Sequence, residues 1–178
     1  MISISKSFSH PSGLEQALQS TYDQWVILGR DNEAIRACYS MESDSGELGY
    51  GLGVAVASTG IEPKAIFSPL SKQVFVGFDS FIATASYSEL DRRLKSRVER
   101  IDGAFVALSV LPSQDVCVVH ELGATVFSSE LIKKWALATD VLSDWTIDAE
   151  RGELYLTEAD SGDSMRISIS DGRRMPEV

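Results

Sequence analysis

The chain has 178 residues, of which 44% are apolar and 24% charged; that is long and apolar enough to bury a core of its own, and it argues against disorder except at the ends and in one or two loops. The formal net charge of −10 argues against nucleic acid or an anionic membrane as a partner, because phosphate binding draws on Lys and Arg. Such a field would instead steer in a basic protein.

The first residues alternate, with Ile2, Ile4 and Phe8 on one parity, as in a short strand. Ser12 and Glu15 have the spacing of a capping box, and Leu14, Ala17, Leu18 and Tyr22 follow at helical intervals, which predicts a helix over Gly13 to Tyr22. From there the period falls to two. Strands are expected at Trp25 to Leu28, Ile35 to Met41, Leu48 to Ser58, Lys64 to Phe67, Gln73 to Phe78 and Phe81 to Tyr87. Asp44-Ser45-Gly46 reads as a turn. Gly49-Tyr50-Gly51-Leu52-Gly53 looks like a phosphate loop, but it runs into strand where such a loop needs a helix. A bulge, a close sheet crossing or a flexible turn is the better reading.

Glu89 to Ile101 departs from this rhythm. Leu90, Leu94, Val98 and Ile101 recur at i, i+4, i+8 and i+11, which predicts a second, amphipathic helix. Its outer face would carry Arg92, Arg93, Lys95, Arg97 and Arg100, a solvated face balanced by Glu89, Asp91 and Glu99. The strand series then resumes: Ala104 to Leu111, Val116 to Leu122, Thr125 to Phe127, Lys133 to Leu137, Val141 to Ile147, Glu153 to Glu158 and Met165 to Ile169. Short strands every 8–12 residues, separated by turn signals, predict an α+β domain that is predominantly antiparallel β: a bent sheet, sandwich or partial barrel with one or two packing helices. A single domain over residues 1–178 is expected, with a possible subdomain boundary near 89–103.

Catalytic signals are sparse. Cys38 and Cys117 sit among alternating apolar residues, as small buried hydrophobes of a reducing compartment do. Cys117 and His120 differ in parity, so a regular strand sends them to opposite faces. His120 with Glu121 is the one candidate acid–base pair, and no partner for it is evident. Asp160-Ser161-Gly162-Asp163 lacks the spacing of a calcium loop and reads as a hairpin turn. No cofactor or metal is implied. Residues 1–18 hold no basic segment followed by an apolar run, and no stretch approaches a membrane span, so the cytosol is the expected compartment.

The charge is concentrated. Asp140, Asp144, Asp148, Glu150, Glu153, Glu158, Asp160 and Asp163 are offset within their interval only by Arg151, so this stretch carries −7 of the net −10. Trp145 and Tyr155 lie within it and Trp135 just before it. Carboxylates around aromatic anchors suit a docking face for a basic partner; the alternative is a set of solvent-facing strand positions around a Trp-containing core.

From Val118-Val119-His120-Glu121-Leu122-Gly123 through Trp135 and Asp144-Trp145 to Asp171-Gly172-Arg173, the chain has the rhythm of small bacterial β-rich proteins. As a whole it resembles the acidic, catalytically empty immunity partners of bacterial polymorphic toxins. The resemblance implies an inhibitor that neutralises a basic toxin domain, such as a nuclease, by direct contact. Two alternatives stand beside it: a small-ligand-binding or adaptor β-domain, whose features would be Gly49–Gly53 and the apolar sheet interior, and an enzyme using His120 and Glu121.

Overall fold

The computed structural model describes residues 2–31, 34–43, 48–58, 60–88, 90 and 92–176. The strands are β1 (Ile2–Phe8), β2 (Trp25–Leu28), β3 (Ala37–Ser43), β4 (Gly51–Val56), β5 (Lys64–Ser68), β6 (Gln73–Phe78), β7 (Phe81–Ser88), β8 (Arg93–Arg100), β9 (Phe105–Val110), β10 (Val116–His120), β11 (Gly123–Phe127), β12 (Lys133–Ala138), β13 (Leu142–Asp148), β14 (Glu153–Glu158) and β15 (Ser164–Ser168). One helix, α1 (Pro11–Thr21), lies between β1 and β2. The strands form four sheets in chain order: β1-β3-β4-β2, β5-β6-β7-β8, β9-β10-β11-β12 and β13-β14-β15. All pairings are antiparallel except β2 with β4.

The sheets stack face to face. Leu52, Val54 and Val56 of the first sheet pack on Val74, Val76 and Phe78 of the second. On the other side of the second sheet, Phe75 and Ile82 meet Phe105, Val116, Val118 and Phe127 of the third. The third sheet turns Cys117, Val119, Ala124 and Val126 toward Leu154, Leu156, Met165 and Ile167 of the fourth. A middle sheet is therefore apolar on both faces, and β4, β10 and β11 are buried along their whole length, as expected for strands covered from both sides. Leading strands β1, β5 and β9 touch in turn. The middle two sheets have the layout of adjoining propeller blades, four-stranded meanders gathered along one line, but the sheets do not close into a ring.

Helix α1 covers the outer face of the first sheet. Strand β4 alternates small and large: Gly51, Gly53 and Ala55 face the helix while Leu52, Val54 and Val56 face the second sheet. A Cβ on Gly51 would lie 2.7 Å from the Tyr22 ring, and one on Gly53 would lie 2.8 Å from a Leu14 methyl. The glycine run thus serves a close helix crossing. The capping box does not form. His10 is the N-cap, no side chain caps the helix, and Pro11 occupies its first turn, where a missing amide costs nothing. Glu15 instead pairs with Arg30 at 3.0 Å.

The second expected helix is a strand. Residues 93–100 form β8, the edge of the second sheet, paired with β7 from Phe81↔Arg100 to Ser88↔Arg93. Leu90 is fully exposed, so it belongs to no apolar stripe. Arg93, Lys95 and Arg97 alternate with Leu94, Ser96 and Val98 along this edge, and a charged edge strand resists pairing with other chains. Residues 89–103, expected as a possible boundary, hold this edge and the link to the third sheet. Glu89, Asp91 and the Asp44-Ser45-Gly46 turn lie outside the described residues.

Two contacts lock neighbouring sheets. Asp79, in the β6–β7 turn, accepts hydrogen bonds from the amides of Ala57 (2.8 Å) and Ser58 (2.9 Å), while its carbonyl accepts from Phe105 N–H at 2.6 Å. Gly77 makes room for the Phe105 ring: a Cβ there would come within 2.0 Å of it. Gly77→Ala is therefore expected to destabilise the fold by about 3 kcal/mol through overpacking, read from chemical denaturation. Phe105→Leu in the same chain should recover part of that loss, because the two sites share one volume.

Candidate functional site

The fourth sheet carries the acidic segment, and its register sorts the residues. Leu154, Leu156, Met165 and Ile167 point to the third sheet, so Glu153, Tyr155 and Thr157 of β14 face outward, with Ser164, Arg166 and Ser168 beside them on β15. Pairing of Asp144 with Thr157, Thr146 with Tyr155 and Asp148 with Glu153 brings Asp144 and Asp148 onto the same open face. Trp145 pairs with Leu156 and so has inward parity. It sits on edge strand β13, however, and remains 36% exposed. The expected Asp144–Trp145 constellation is thus split between the face and the edge of one sheet.

On the open face Glu153 is compensated. Arg166 holds its carboxylate through both guanidinium donors, Nε at 3.0 Å, and the Tyr155 hydroxyl donates to it as well. These hydrogen bonds, the arginine's foremost, hold the Glu153 carboxyl below its ordinary value of 4.5. The same bond raises the Tyr155 phenol. Asp148 is tied to its turn, accepting from the Arg151 amide at 3.0 Å and lying 3.7 Å from its guanidinium. Glu158 accepts from the Ser161 hydroxyl and the Asp140 amide. The 160–163 segment is a hairpin turn, with Gly162 at φ +70° and its amide on the Glu158 carbonyl.

The remaining acids are uncompensated. Among the described residues Asp140, Asp144, Glu150, Asp160 and Asp163 have no cationic partner. Asp140 and Asp144 flank the start of β13, next to exposed Val141 and Trp145. There the Leu142 amide bonds the Glu121 carbonyl and the Thr139 amide bonds the Leu122 carbonyl. This brings exposed Leu122 to the same edge. The edge therefore combines free carboxylates, an indole and two aliphatic side chains.

Trp135 has a different task. Its indole N–H donates to the Ile169 carbonyl at 2.8 Å, and its ring lies against Gly172, where a Cβ would come within 2.9 Å. It pins the chain after β15 to the third sheet and is no exposed anchor. Arg166 escaped the sequence reading, although a hairpin centred on residues 160–163 places it opposite Tyr155.

The other candidates do not assemble. His120 is buried, with Nε2 3.3 Å from the Thr125 hydroxyl and Nδ1 unpartnered among the described residues. Burial lowers its pKa. Glu121 is exposed in the β10–β11 turn, so the two side chains are not brought together. Cys117 faces the fourth sheet, away from His120, and burial pushes its thiol up to about 12. Cys38 lies under α1, two sheets away. No described helix is long and apolar enough to cross a membrane.

No family model matches the chain, and no curated protein matches it. Among solved structures, the crystal structure of glutaminyl cyclase from Myxococcus xanthus aligns with 96% of this chain and 73% of its own, at 11% identity and a TM-score of 0.39.

The Glu153 carboxylate gives a pH signature. A carboxyl whose pKa is lower in the folded state adds stability that is fully present above its unfolded value and lost as pH falls through the folded one. Glu153→Gln should therefore lower Tm at pH 7, and the gap from the parent chain should close as pH drops below 4.5. Thermal unfolding at stepped pH reads this, and a gap constant down to acid pH would refute it.

Proposed function

We propose that the chain is a binding protein that holds a basic protein partner along the β13 edge of its fourth sheet, as an immunity-type inhibitor of a basic toxin domain would. The observation behind this reading is the edge itself, where Asp140 and Asp144 lack cationic partners among the described residues and Trp145 stands exposed between Val141 and the open face. Free carboxylates attract a cationic surface from a distance and set the association rate. An exposed indole beside them supplies the desolvated anchor that sustains a complex once formed. Asp148 and Glu153 contribute less attraction, since Arg151 and Arg166 already neutralise them. The charged rim decides which partner arrives, and the apolar centre decides how long it stays.

A tagged chain purified from its source cells at low salt should retain a basic protein that high salt releases. With that protein in hand, Asp140→Lys/Asp144→Lys should slow association about tenfold at low salt and flatten its salt dependence. Asp148→Lys should do less, and Trp145→Ala should chiefly speed dissociation. Stopped-flow fluorescence separates these effects; equal association rates for parent and doubly reversed chain would reject the proposal.

A further inference from the structure

A second site lies away from the acidic edge, between the first and second sheets. There the chain entering β4 and the β5–β6 turn line an open cleft of about 460 Å³, within the range of roughly 300–1,000 Å³ typical of small-molecule sites. Its walls are aromatic: Tyr50, Phe67 and Tyr87, with Leu48 and Pro69 at the rim. Gly49 lines it without filling it, since a Cβ there would meet nothing within 4 Å. The Tyr50 hydroxyl donates to the Ala85 carbonyl at 3.0 Å, so its ring is fixed as a wall and its polar atom is spent.

Two polar groups at this cavity are not spent. Lys72 is the charged residue among the described lining, and it has no anionic partner among the described residues. The Tyr87 hydroxyl likewise has no hydrogen-bond partner among them. Lys72 also stands at φ +52°, a left-handed conformation that Gly or Asn adopts at lower cost than Lys. An aromatic-lined cavity with an ammonium and a phenol in its lining suits an aromatic anion. We propose that this cavity binds a small planar aromatic carboxylate, its ring stacked among Tyr50, Phe67 and Tyr87 and its carboxylate on the Lys72 ammonium, with the Tyr87 hydroxyl donating a second hydrogen bond. Stacking supplies affinity for any flat ring, and the charge-assisted bond selects the anion.

The test uses the full isotope-labelled chain with 2-naphthoate as probe and 2-naphthamide as its neutral isostere, followed by amide chemical shifts. The expected result is saturable shifts confined to residues 48–50, 67, 72 and 87, with the carboxylate binding about tenfold tighter than the amide. Lys72→Asn suits the left-handed backbone, so the fold should hold with Tm unchanged or higher, while naphthoate affinity falls to that of naphthamide. Lys72→Arg should retain the preference for the anion. Shifts that never saturate or that spread over other apolar surface would overturn the proposal, as would equal affinity for the two probes or a Lys72→Asn chain that binds naphthoate like the parent.

Discussion

The stack depends on Asp79. Its carboxylate receives the two amides that end β4, and its carbonyl receives the amide that begins β9. One residue in a two-residue turn thus fixes the first and third sheets relative to the second. The residue is nearly buried, and a buried carboxylate persists only where donors replace the water it has lost. Here the donors are the Ala57 and Ser58 amides, which would otherwise be orphaned just past the end of β4, and the Ser58 hydroxyl, so each group satisfies the other's requirement. Its φ of +46° is also one that Asp tolerates better than most side chains. With this corner set, the Phe105 ring finds the space left by Gly77, and the apolar layers on either side of the second sheet come into contact.

Stacking explains what could be read from the sequence and what could not. Fourteen of the fifteen strands were legible because Gly, Pro and Asp mark the hairpins and because apolar runs such as Val116 to Val119 have no helical stripe. The exception, β8, follows from arithmetic. Leu90, Leu94 and Val98 are spaced by four, which fits a helical stripe and also an even strand parity. On an edge strand with a solvated face, no second buried row was present to break the tie. The glycines of β4 were visible as an anomaly, but their meaning lay in α1, which crosses them from a distant part of the fold. Ser12 and Glu15 fit a local rule, yet Pro11 moved the helix start back by two residues and Arg30 took the carboxylate.

The acidic segment shows how far composition reaches. Eight acids between Asp140 and Asp163 could be counted in advance, and solvent-facing strand positions or a docking face were the two expectations for them. Register decided the rest. A bulge between Leu142 and Asp144 sets which β13 side chains share a face with Tyr155, and the β14–β15 hairpin decides that Arg166 neutralises Glu153. No count of charges contains that information, since a shift of one residue would exchange the two faces. The result is a sheet whose middle is electrostatically settled and whose edge is not.

A stack of sheets has two ends, and each must stop growth by its own means. Helix α1 covers one end by laying Leu14 and Leu18 on the small residues of β4. Among the described residues nothing covers the other end, and its outer face is polar: a further sheet laid there would strip water from Thr157, Ser164 and the Glu153–Arg166 pair without replacing it. The β13 edge poses a separate problem, since unpaired strand edges invite another chain. Asp140 and Asp144 answer it, because a second copy aligning the same edge would set carboxylate against carboxylate. Those charges repel self and leave the edge open to a cationic surface. On the proposed function the same two side chains would both guard the edge against self-pairing and draw a basic partner; neutralising them would remove both together, whereas reversing them would abolish the attraction and keep the self-repulsion.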